Sequence, residues 1–204
     1  MPELGREHRV CKGPSLRGPL ARIPHDEAWA SHGWECFTAS GARLGYEPGK
    51  GAQRQLQLAE TPARGLAMHG ARVERKVGSV AVHWRGIGES AALRVRQLLA
   101  EAWRGLESEE LVLLEFDGGA ELRARGRDKG DAVRDILATC SPDAVCAYLG
   151  DDLTDEDAFD AIASRGLGVL VRPELRETRA HLWIAPPLEL VAFLERWCES
   201  GAAR

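Results

Sequence analysis

The chain has 204 residues, of which 44% are hydrophobic and 28% are charged. At roughly 100–200 residues per domain, this globular composition allows one domain or two small ones and excludes a disordered or collagen-like chain. The formal net charge of −4 provides no basic surface for nucleic acid. No apolar run approaches the roughly 20 residues of a membrane span, and the N-terminus lacks the apolar core of a secretory signal. We therefore expect a cytoplasmic protein that binds neither nucleic acid nor membrane.

The sequence pattern is weak over the first 28 residues and sharpens from Gly70 onward. Alternating valines between residues 73 and 82 predict one or two strands with a turn at Gly78. Apolar residues at helical spacing predict a helix within residues 89–106. Residues 111–116 and 120–125 are typical of a hairpin, because Asp-Gly sequences favour tight turns between strands.

Strands and helices alternate through the last third of the chain. Short apolar runs at 144–149, 167–171 and, more weakly, 181–185 predict strands. Helices are predicted over 128–140, 154–165 and 187–200, with Thr154 as an N-cap and Pro187 near the first turn of the last helix. Such alternation predicts an α/β layer built on a mostly parallel sheet.

The segment YLGDDLTDEDAF, residues 148–159, gives the most specific chemical signal. Four aspartates (151, 152, 155 and 157) follow a predicted buried strand, and Gly150 between them and the strand allows the backbone to turn. Ligands of open α/β sheets bind at the carboxyl ends of the strands, and crowded carboxylates there favour a hard cation such as Mg²⁺. The alternative is an acidic loop whose carboxylates only complement the dipole of the next helix.

This segment, with Lys129-Gly130 before it and GLGVLV after it, resembles the trehalose-6-phosphate phosphatases of the haloacid dehalogenase superfamily. Further stretches resemble the same family in the same order: SHGWE at 31–35, VERKVGSVAVHWR at 73–85, AELRARGRDKG at 120–130 and RETRAHLWIAPPLELVAFLERW at 176–197. Ala30 stands where the family usually has a glycine. The resemblance covers about residues 30–198.

The resemblance implies an α/β fold with a haloacid dehalogenase-like parallel sheet core, its N-terminal central strand missing, and an inserted α/β cap domain. The implied boundaries are 1–38 for a remnant of the core, 39–120 for the cap and 121–204 for the C-terminal part of the core. The implied reaction is the hydrolysis of trehalose 6-phosphate, a small-molecule substrate, to trehalose and phosphate through an aspartyl-phosphate. Mg²⁺ is the implied cofactor, and a trehalose-phosphate synthase is a candidate partner.

The resemblance also implies roles for individual residues. Lys129 would neutralise charge on the phosphoryl group and the nucleophile, Asp151 would hold the metal, and Asp155 would hold it or orient its ligands. Six polar side chains would bind the hydroxyl groups of trehalose: His32, Glu74, Lys76, Arg85, Glu121 and Arg123. Taken alone, each pattern has an ordinary alternative: a solvated strand face for Glu74 and Lys76, a solvated helix start for Lys129, and a structural role for His32.

The nucleophile motif of this family, Asp-x-Asp-Gly-Thr, does not occur in the printed sequence. The segment LVLLEFDGGAEL resembles it superficially through Glu115 and Asp117, but its position shortly before Lys129 fits the hairpin of the cap. Residues 11–16 resemble the second phosphate-binding motif only weakly, with Lys12 at the hydroxyl position. We therefore expect this chain to be inactive alone; the alternatives are a non-catalytic sugar-phosphate-binding or interaction module and a truncated gene product.

Overall fold

The computed structural model describes residues 9–11, 27–38, 40, 42–116 and 118–202. Lys12 and Asp117, which carry two of the weaker motif resemblances, lie outside these ranges. The chain divides into two compact units, Met1–Arg127 and Asp128–Arg204. Within the described ranges, no helix is both long and apolar enough to cross a membrane.

The described part of the first unit contains two sheets and two α-helices. The first sheet has the order β1-β2-β3-β4, with β1 parallel to β2 and the other pairs antiparallel; its strands are β1 (Arg9–Cys11), β2 (Glu27–Ala30), β3 (Glu35–Thr38) and β4 (Arg43–Gly45). The second sheet is antiparallel with the order β5-β6-β8-β7. Its strands and the helices of this unit are β5 (Arg72–Lys76), β6 (Ser79–His83), β7 (Leu111–Phe116), β8 (Gly119–Ala124), α1 (Lys50–Gly65) and α2 (Glu89–Ala102).

The core of the first unit lies between the second sheet and its two helices. Side chains alternate along a strand, so Val80, Val82 and Leu122 share one face, and all three are fully buried. Leu56 of α1 and Val95 of α2 belong to the same apolar cluster. Polar side chains lie on the opposite face of this sheet, and they include most of the predicted sugar-binding residues.

Helix α1 is not predicted by the sequence pattern. Its residues, KGAQRQLQLAETPARG, are mostly polar and include Pro62 inside the helix. A narrow stripe of small apolar residues (Ala52, Leu56, Ala59 and Ala63) is nevertheless buried. Helices in proteins owe most of their stability to such packing rather than to intrinsic propensity, and this packing is what the sequence pattern fails to reveal.

The second unit confirms the predicted parallel α/β layer. Its sheet has the order β11-β10-β9 with parallel pairing; its elements are α3 (Lys129–Thr139), β9 (Cys146–Gly150), α4 (Glu156–Ile162), β10 (Gly166–Val171), β11 (Leu182–Ile184) and α5 (Leu188–Ala202). Phe159 of α4 is fully buried, and its ring meets Tyr148 of β9 edge-on with centroids 5.7 Å apart. This packing holds α4 directly against the end of β9, where the aspartates begin.

The structure corrects one detail of the predicted elements. Thr154 is not an N-cap: a short 3₁₀ turn at Leu153–Asp155 precedes α4, and Asp152 caps that turn in a reciprocal capping box with Asp155.

The predicted hairpin is confirmed by the antiparallel pairing of β7 and β8. In that pairing Glu115 lies on β7 opposite Ala120. The predicted domain boundaries stay a prediction, although β8 runs unbroken across residues 120 and 121.

The β7–β8 hairpin depends on the absence of a side chain at Gly119. A Cβ atom there would overlap the Phe116 ring and lie 2.8 Å from the carbonyl oxygen of Val82. We expect Gly119→Ala to lower the free energy of unfolding by about 1–3 kcal/mol, measured by urea denaturation, because the hairpin has no room for the methyl group. Gly65→Ala is the control, since nothing lies within 4 Å there and the helix should gain stability. A Gly119→Ala variant as stable as the parent would contradict this account.

Candidate active site

The polar face of the β5-β6-β8-β7 sheet brings together four of the predicted sugar-binding residues. In the strand register, Glu74 pairs with Ala81, which pairs in turn with Glu121. The next row joins Lys76, Ser79 and Arg123. Because residues two apart on a strand share a face, these two rows place Glu74, Lys76, Glu121 and Arg123 side by side.

Glu121 is the centre of this polar face. It is only 5% exposed, and its Oε1 atom accepts hydrogen bonds from Ser79 Oγ at 2.6 Å and from Lys76 Nζ at 3.2 Å. His32 Nε2 lies 3.2 Å from the other oxygen, Oε2. Burial opposes ionisation, but His32, Lys76 and Ser79 outweigh it and hold the pKa of Glu121 well below its ordinary value.

His32 reaches Glu121 from an unusual turn between β2 and β3. Ser31, His32 and Gly33 have φ angles of 53°, 55° and 85°, which lie in the left-handed region that favours glycine. Two contacts hold this turn: Ser31 Oγ donates to Glu35, and Arg127 Nε donates to the carbonyl of Gly33. Backbone strain of this kind persists only where the surroundings enforce it, and here it places His32 beside Glu121.

The remaining polar residues of this face differ in their surroundings. His83 Nε2 lies 3.4 Å from Glu74 Oε2. The nearby His83 side chain is the largest influence on Glu74 and lowers its pKa, as do Lys76 and Arg72, against the opposing effect of burial. Arg123 has a buried Nη1 atom without a hydrogen-bond partner among the described residues. Arg85 is exposed and lies beside the β7–β8 turn, where its Cβ approaches Gly118.

The second unit gathers the predicted phosphate-site residues at the carboxyl end of β9. Lys129 is the first residue of α3, which is capped by Asp128 in a capping box with Asp131. Its Nζ atom lies 2.6 Å from Asp155 Oδ1, and the Tyr148 hydroxyl donates to the same oxygen at 2.6 Å. This network fixes the lysine ammonium next to the aspartate loop.

Both carboxylate oxygens of Asp155 accept hydrogen bonds from other residues of the chain. While Oδ1 accepts from Lys129 and Tyr148, Oδ2 accepts from the backbone amides of Asp151 and Asp152 at 3.0 and 2.9 Å. The residue is 3% exposed. Burial opposes ionisation, but Lys129, Tyr148 and the Asp152 amide together hold the pKa of Asp155 below its ordinary value.

Gly150 is needed for this packing and not, as the sequence suggests, for a turn. It is the last residue of β9, and a Cβ atom there would lie 2.6 Å from the Cβ atom of Asp155. Asp151 follows with an exposed carboxylate that makes no hydrogen bond within the described residues. Its carboxylate oxygens are accessible at this strand end.

A metal site built from this chain alone would need more ligands than the aspartate loop offers. In the described parts of the chain, no three His, Cys, Asp or Glu side chains are grouped so that they could hold a metal ion. The Asp151 carboxylate has the hard oxygen chemistry that Mg²⁺ prefers, and Mg²⁺ commonly keeps several water ligands. The loop could therefore supply one carboxylate ligand to such a site.

Sequence reasoning missed Tyr148 as a functional residue. Tyr148 belongs to a predicted buried strand, and a buried tyrosine hydroxyl usually has a hydrogen-bond partner. That rule could have indicated that Tyr148 contacts a nearby polar side chain. The partner, Asp155, lies seven residues further on. Ser79 belongs to a quoted motif, but its bond to Glu121 depends on strand pairing across 42 residues, which the pattern alone does not reveal.

The lowered pKa of Glu121 predicts that the first unit loses stability in acid. A carboxyl whose pKa is lower in the folded state stabilises that state above its ordinary pKa of 4.5 and stops doing so as the pH falls. We expect the free energy of unfolding, from urea titrations followed by tryptophan fluorescence, to be level between pH 8 and 6 and to fall below about pH 5. Glu121→Gln should have a shallower acid slope. An identical slope in the variant would contradict the assignment.

The chain is similar in sequence to proteins of one known family. The sequence model of the trehalose-phosphatase family matches residues 57–180. The chain belongs to this family. A trehalose-phosphate phosphatase of Mycobacterium marinum is 30% identical over 204 aligned residues, covering 92% of this chain and 50% of that protein. The chain spans half or less of the length of the curated relatives that it matches.

Two solved structures show the same fold. A trehalose-6-phosphate phosphatase related protein matches 96% of this chain and 82% of its own length, with a TM-score of 0.69 and 23% identity. A phosphatase of the haloalkanoate (HAD) superfamily from Bacteroides thetaiotaomicron matches 93% and 81%, with a TM-score of 0.55 and 14% identity. The α/β fold of the haloacid dehalogenase type is therefore confirmed.

Proposed function

We propose that this chain carries the substrate-recognition and phosphate-binding parts of a trehalose-6-phosphate phosphatase. The observation that carries the proposal is the buried Asp155 carboxylate at the end of a parallel strand, which accepts hydrogen bonds from the Lys129 ammonium and from the backbone amide of Asp151. A fixed cation at a strand end that also carries an exposed carboxylate is suited to a phosphoryl group, whose transfer is catalysed by positioning and charge stabilisation.

Three residues of the second unit have distinct roles in this proposal: Lys129, Asp151 and Asp155. Lys129 would neutralise charge on the phosphoryl oxygens, and Asp155 would hold its ammonium in place. Since all the hydrogen bonds that occupy Asp155 come from its own chain, it would position Lys129 and the backbone of Asp151 and would not bind the metal directly. Asp151 would bind Mg²⁺, which when present stabilises negative charge on the phosphoryl oxygens.

The nucleophile in this proposal is an aspartate of an Asp-x-Asp-Gly-Thr strand. That motif is absent from the printed sequence, so turnover would require a strand from elsewhere in the protein or from another chain. The printed chain alone would bind substrate without hydrolysing it. The predicted cytoplasmic location and the contact with a synthase stay predictions.

The polar face of the first unit would bind the disaccharide. Trehalose presents hydroxyl groups, which need both donors and acceptors at fixed positions. Glu121, Glu74 and His83 offer acceptors, while Lys76, His32 and the unpartnered Nη1 of Arg123 offer donors. An unpartnered buried donor is costly, and a sugar hydroxyl would satisfy it.

Titration with trehalose, which has no phosphate, tests the sugar-binding half of the proposal separately. In ¹H–¹⁵N NMR spectra of the full chain, we expect saturable shifts at the amides of β5, β6 and β8. Arg123→Gln should weaken binding at least tenfold, because it removes the unpartnered donor. The control is Glu115→Gln, an exposed change on β7, which should leave the affinity unchanged. Absence of shifts, or equal affinity in both variants, would contradict this assignment.

A further inference from the structure

A polar cavity lies beside β5 of the β5-β6-β8-β7 sheet. It has a volume of about 540 Å³ and is formed by the β4–α1 connection, the exposed side of α1 and the end of β5. Arg75 lines it, whereas Glu74 and Lys76 point to the opposite face because side chains alternate along β5. The cavity is therefore separate from the proposed sugar-binding face, and neither proposed half of the phosphatase site uses it.

The lining of this cavity has an excess of positive charge. Its charged residues are four cations and two carboxylates: Arg43, Lys50, Arg54, Arg75, Glu47 and Glu60. Glu60 accepts from Arg64 Nε at 2.8 Å and Glu47 accepts from the neutral amide of Gln53 at 3.3 Å, while Arg43 Nε lies 2.9 Å from Glu35 Oε1. Lys50 and Arg54 have no carboxylate partner among the described residues. Two exposed cations one helical turn apart thus line the cavity without an ion pair to a carboxylate of the described residues.

Arg75 gives the cavity an ordered positive group at its inner side. Its Nη1 atom donates to the carbonyls of Lys76, Val77 and Ser79, the last at 3.0 Å. Its only nearby carboxylate among the described residues is Glu60, 3.5 Å from Nε. Burial lowers the pKa of the Arg75 guanidinium, and Glu60 only partly opposes this effect. A further anion would therefore be favoured next to this side chain.

We propose that this cavity binds a small anion that carries a phosphate group, with Arg75 at its inner side and Lys50 and Arg54 at its opening. Two cations with no carboxylate partner match the charge of a phosphate monoester, and Gln57 adds an amide that can bond a phosphate oxygen or a sugar hydroxyl. Free inorganic phosphate and phosphorylated sugars share this chemistry. Because Arg75 lies on the opposite face of the sheet from Glu74 and Lys76, this ligand would bind apart from the proposed sugar-binding face.

Isothermal titration calorimetry on the full chain without Mg²⁺ tests the proposal, with inorganic phosphate, glucose 6-phosphate and glucose as probes. We expect both phosphorylated probes to bind and glucose to give no signal; tighter binding of glucose 6-phosphate than of phosphate would identify a sugar phosphate as the ligand. Lys50→Gln/Arg54→Gln should weaken binding at least tenfold. Both residues are exposed on the outer side of α1, so the double variant should fold.

A matched control distinguishes phosphate binding in the cavity from attraction of phosphate by the overall charge of the protein. Arg94→Gln/Arg104→Gln removes the same charge from exposed positions in and after α2, and it should bind phosphate as the parent does. Lys129→Gln should also leave this binding intact, which distinguishes the cavity from the proposed phosphatase site. The proposal is overturned if the parent binds no phosphate, if both double variants weaken binding equally, or if only Lys129→Gln abolishes it.

Discussion

Replacing Glu121 with Ala is expected to lower the free energy of unfolding of the first unit by about 3–5 kcal/mol. The change removes the common partner of Lys76, Ser79 and His32 and leaves a buried ammonium without its carboxylate. Breaking a buried ion pair from one side costs this much because the remaining charge is still desolvated. Urea denaturation at pH 7 measures the loss.

Two further variants make the Glu121 prediction specific. Glu121→Gln keeps the shape and an acceptor for Ser79, so we expect a smaller loss than for Ala. Glu115→Ala, on the exposed edge of the same sheet where Glu115 pairs with Arg96, should change stability by less than about 1 kcal/mol. A loss at Glu121 no larger than the loss at Glu115 would show that the buried cluster is not the electrostatic centre of this unit.

Replacing Asp155 with Asn is expected to destabilise the second unit by about 3 kcal/mol and to release Lys129. Four donors meet the Asp155 carboxylate, two on each oxygen. An asparagine has one carbonyl oxygen, so its NH₂ group must face either the Lys129 and Tyr148 donors or the two backbone amides. Either orientation places donor against donor in a buried position.

Hydrogen exchange measured by mass spectrometry locates the effect of Asp155→Asn. We expect faster exchange in peptides that cover residues 146–160 and no change in β5, β6 and β8. Tyr148→Phe removes one of the four bonds and should cost about 1 kcal/mol. Asp160→Asn, at an exposed position of α4, should have little effect. Equal exchange in the Asp155 and Asp160 variants would contradict the four-donor arrangement.

The sequence predicts those elements whose apolar pattern matches their burial. Apolar and polar residues alternate along β5 and β6, and apolar residues recur every three to four positions along α2. The sequence pattern therefore predicts all three elements, and the structure contains them. Strands β2–β4 are three or four residues long, and α1 buries mainly alanines beneath a polar surface. These elements are stabilised by contacts with distant residues, and local pattern therefore carries little information about them.

The candidate site shows the same limit. The residue types and their order in the chain indicate the family, and the strand register brings Glu74, Lys76, Glu121 and Arg123 to one face. The donor set around Asp155 could not be predicted, because Lys129 lies 26 residues away and two of the donors are backbone amides. Asp155 accepts four hydrogen bonds, whereas Asp151 accepts none within the described residues, and this difference depends on donors that the sequence pattern does not reveal.

Phosphate release from trehalose 6-phosphate in the presence of Mg²⁺ tests the central claim most directly. The assay compares the printed chain, the chain with an added N-terminal strand that carries Asp-x-Asp-Gly-Thr, and the extended chain with Lys129→Gln. We predict release by the extended chain alone, with the rate lowered about 10²–10³-fold by Lys129→Gln because a fixed charge-stabilising group is lost. Release by the printed chain at the same rate, or a folded extended chain that is silent or indifferent to Lys129→Gln, would contradict the account.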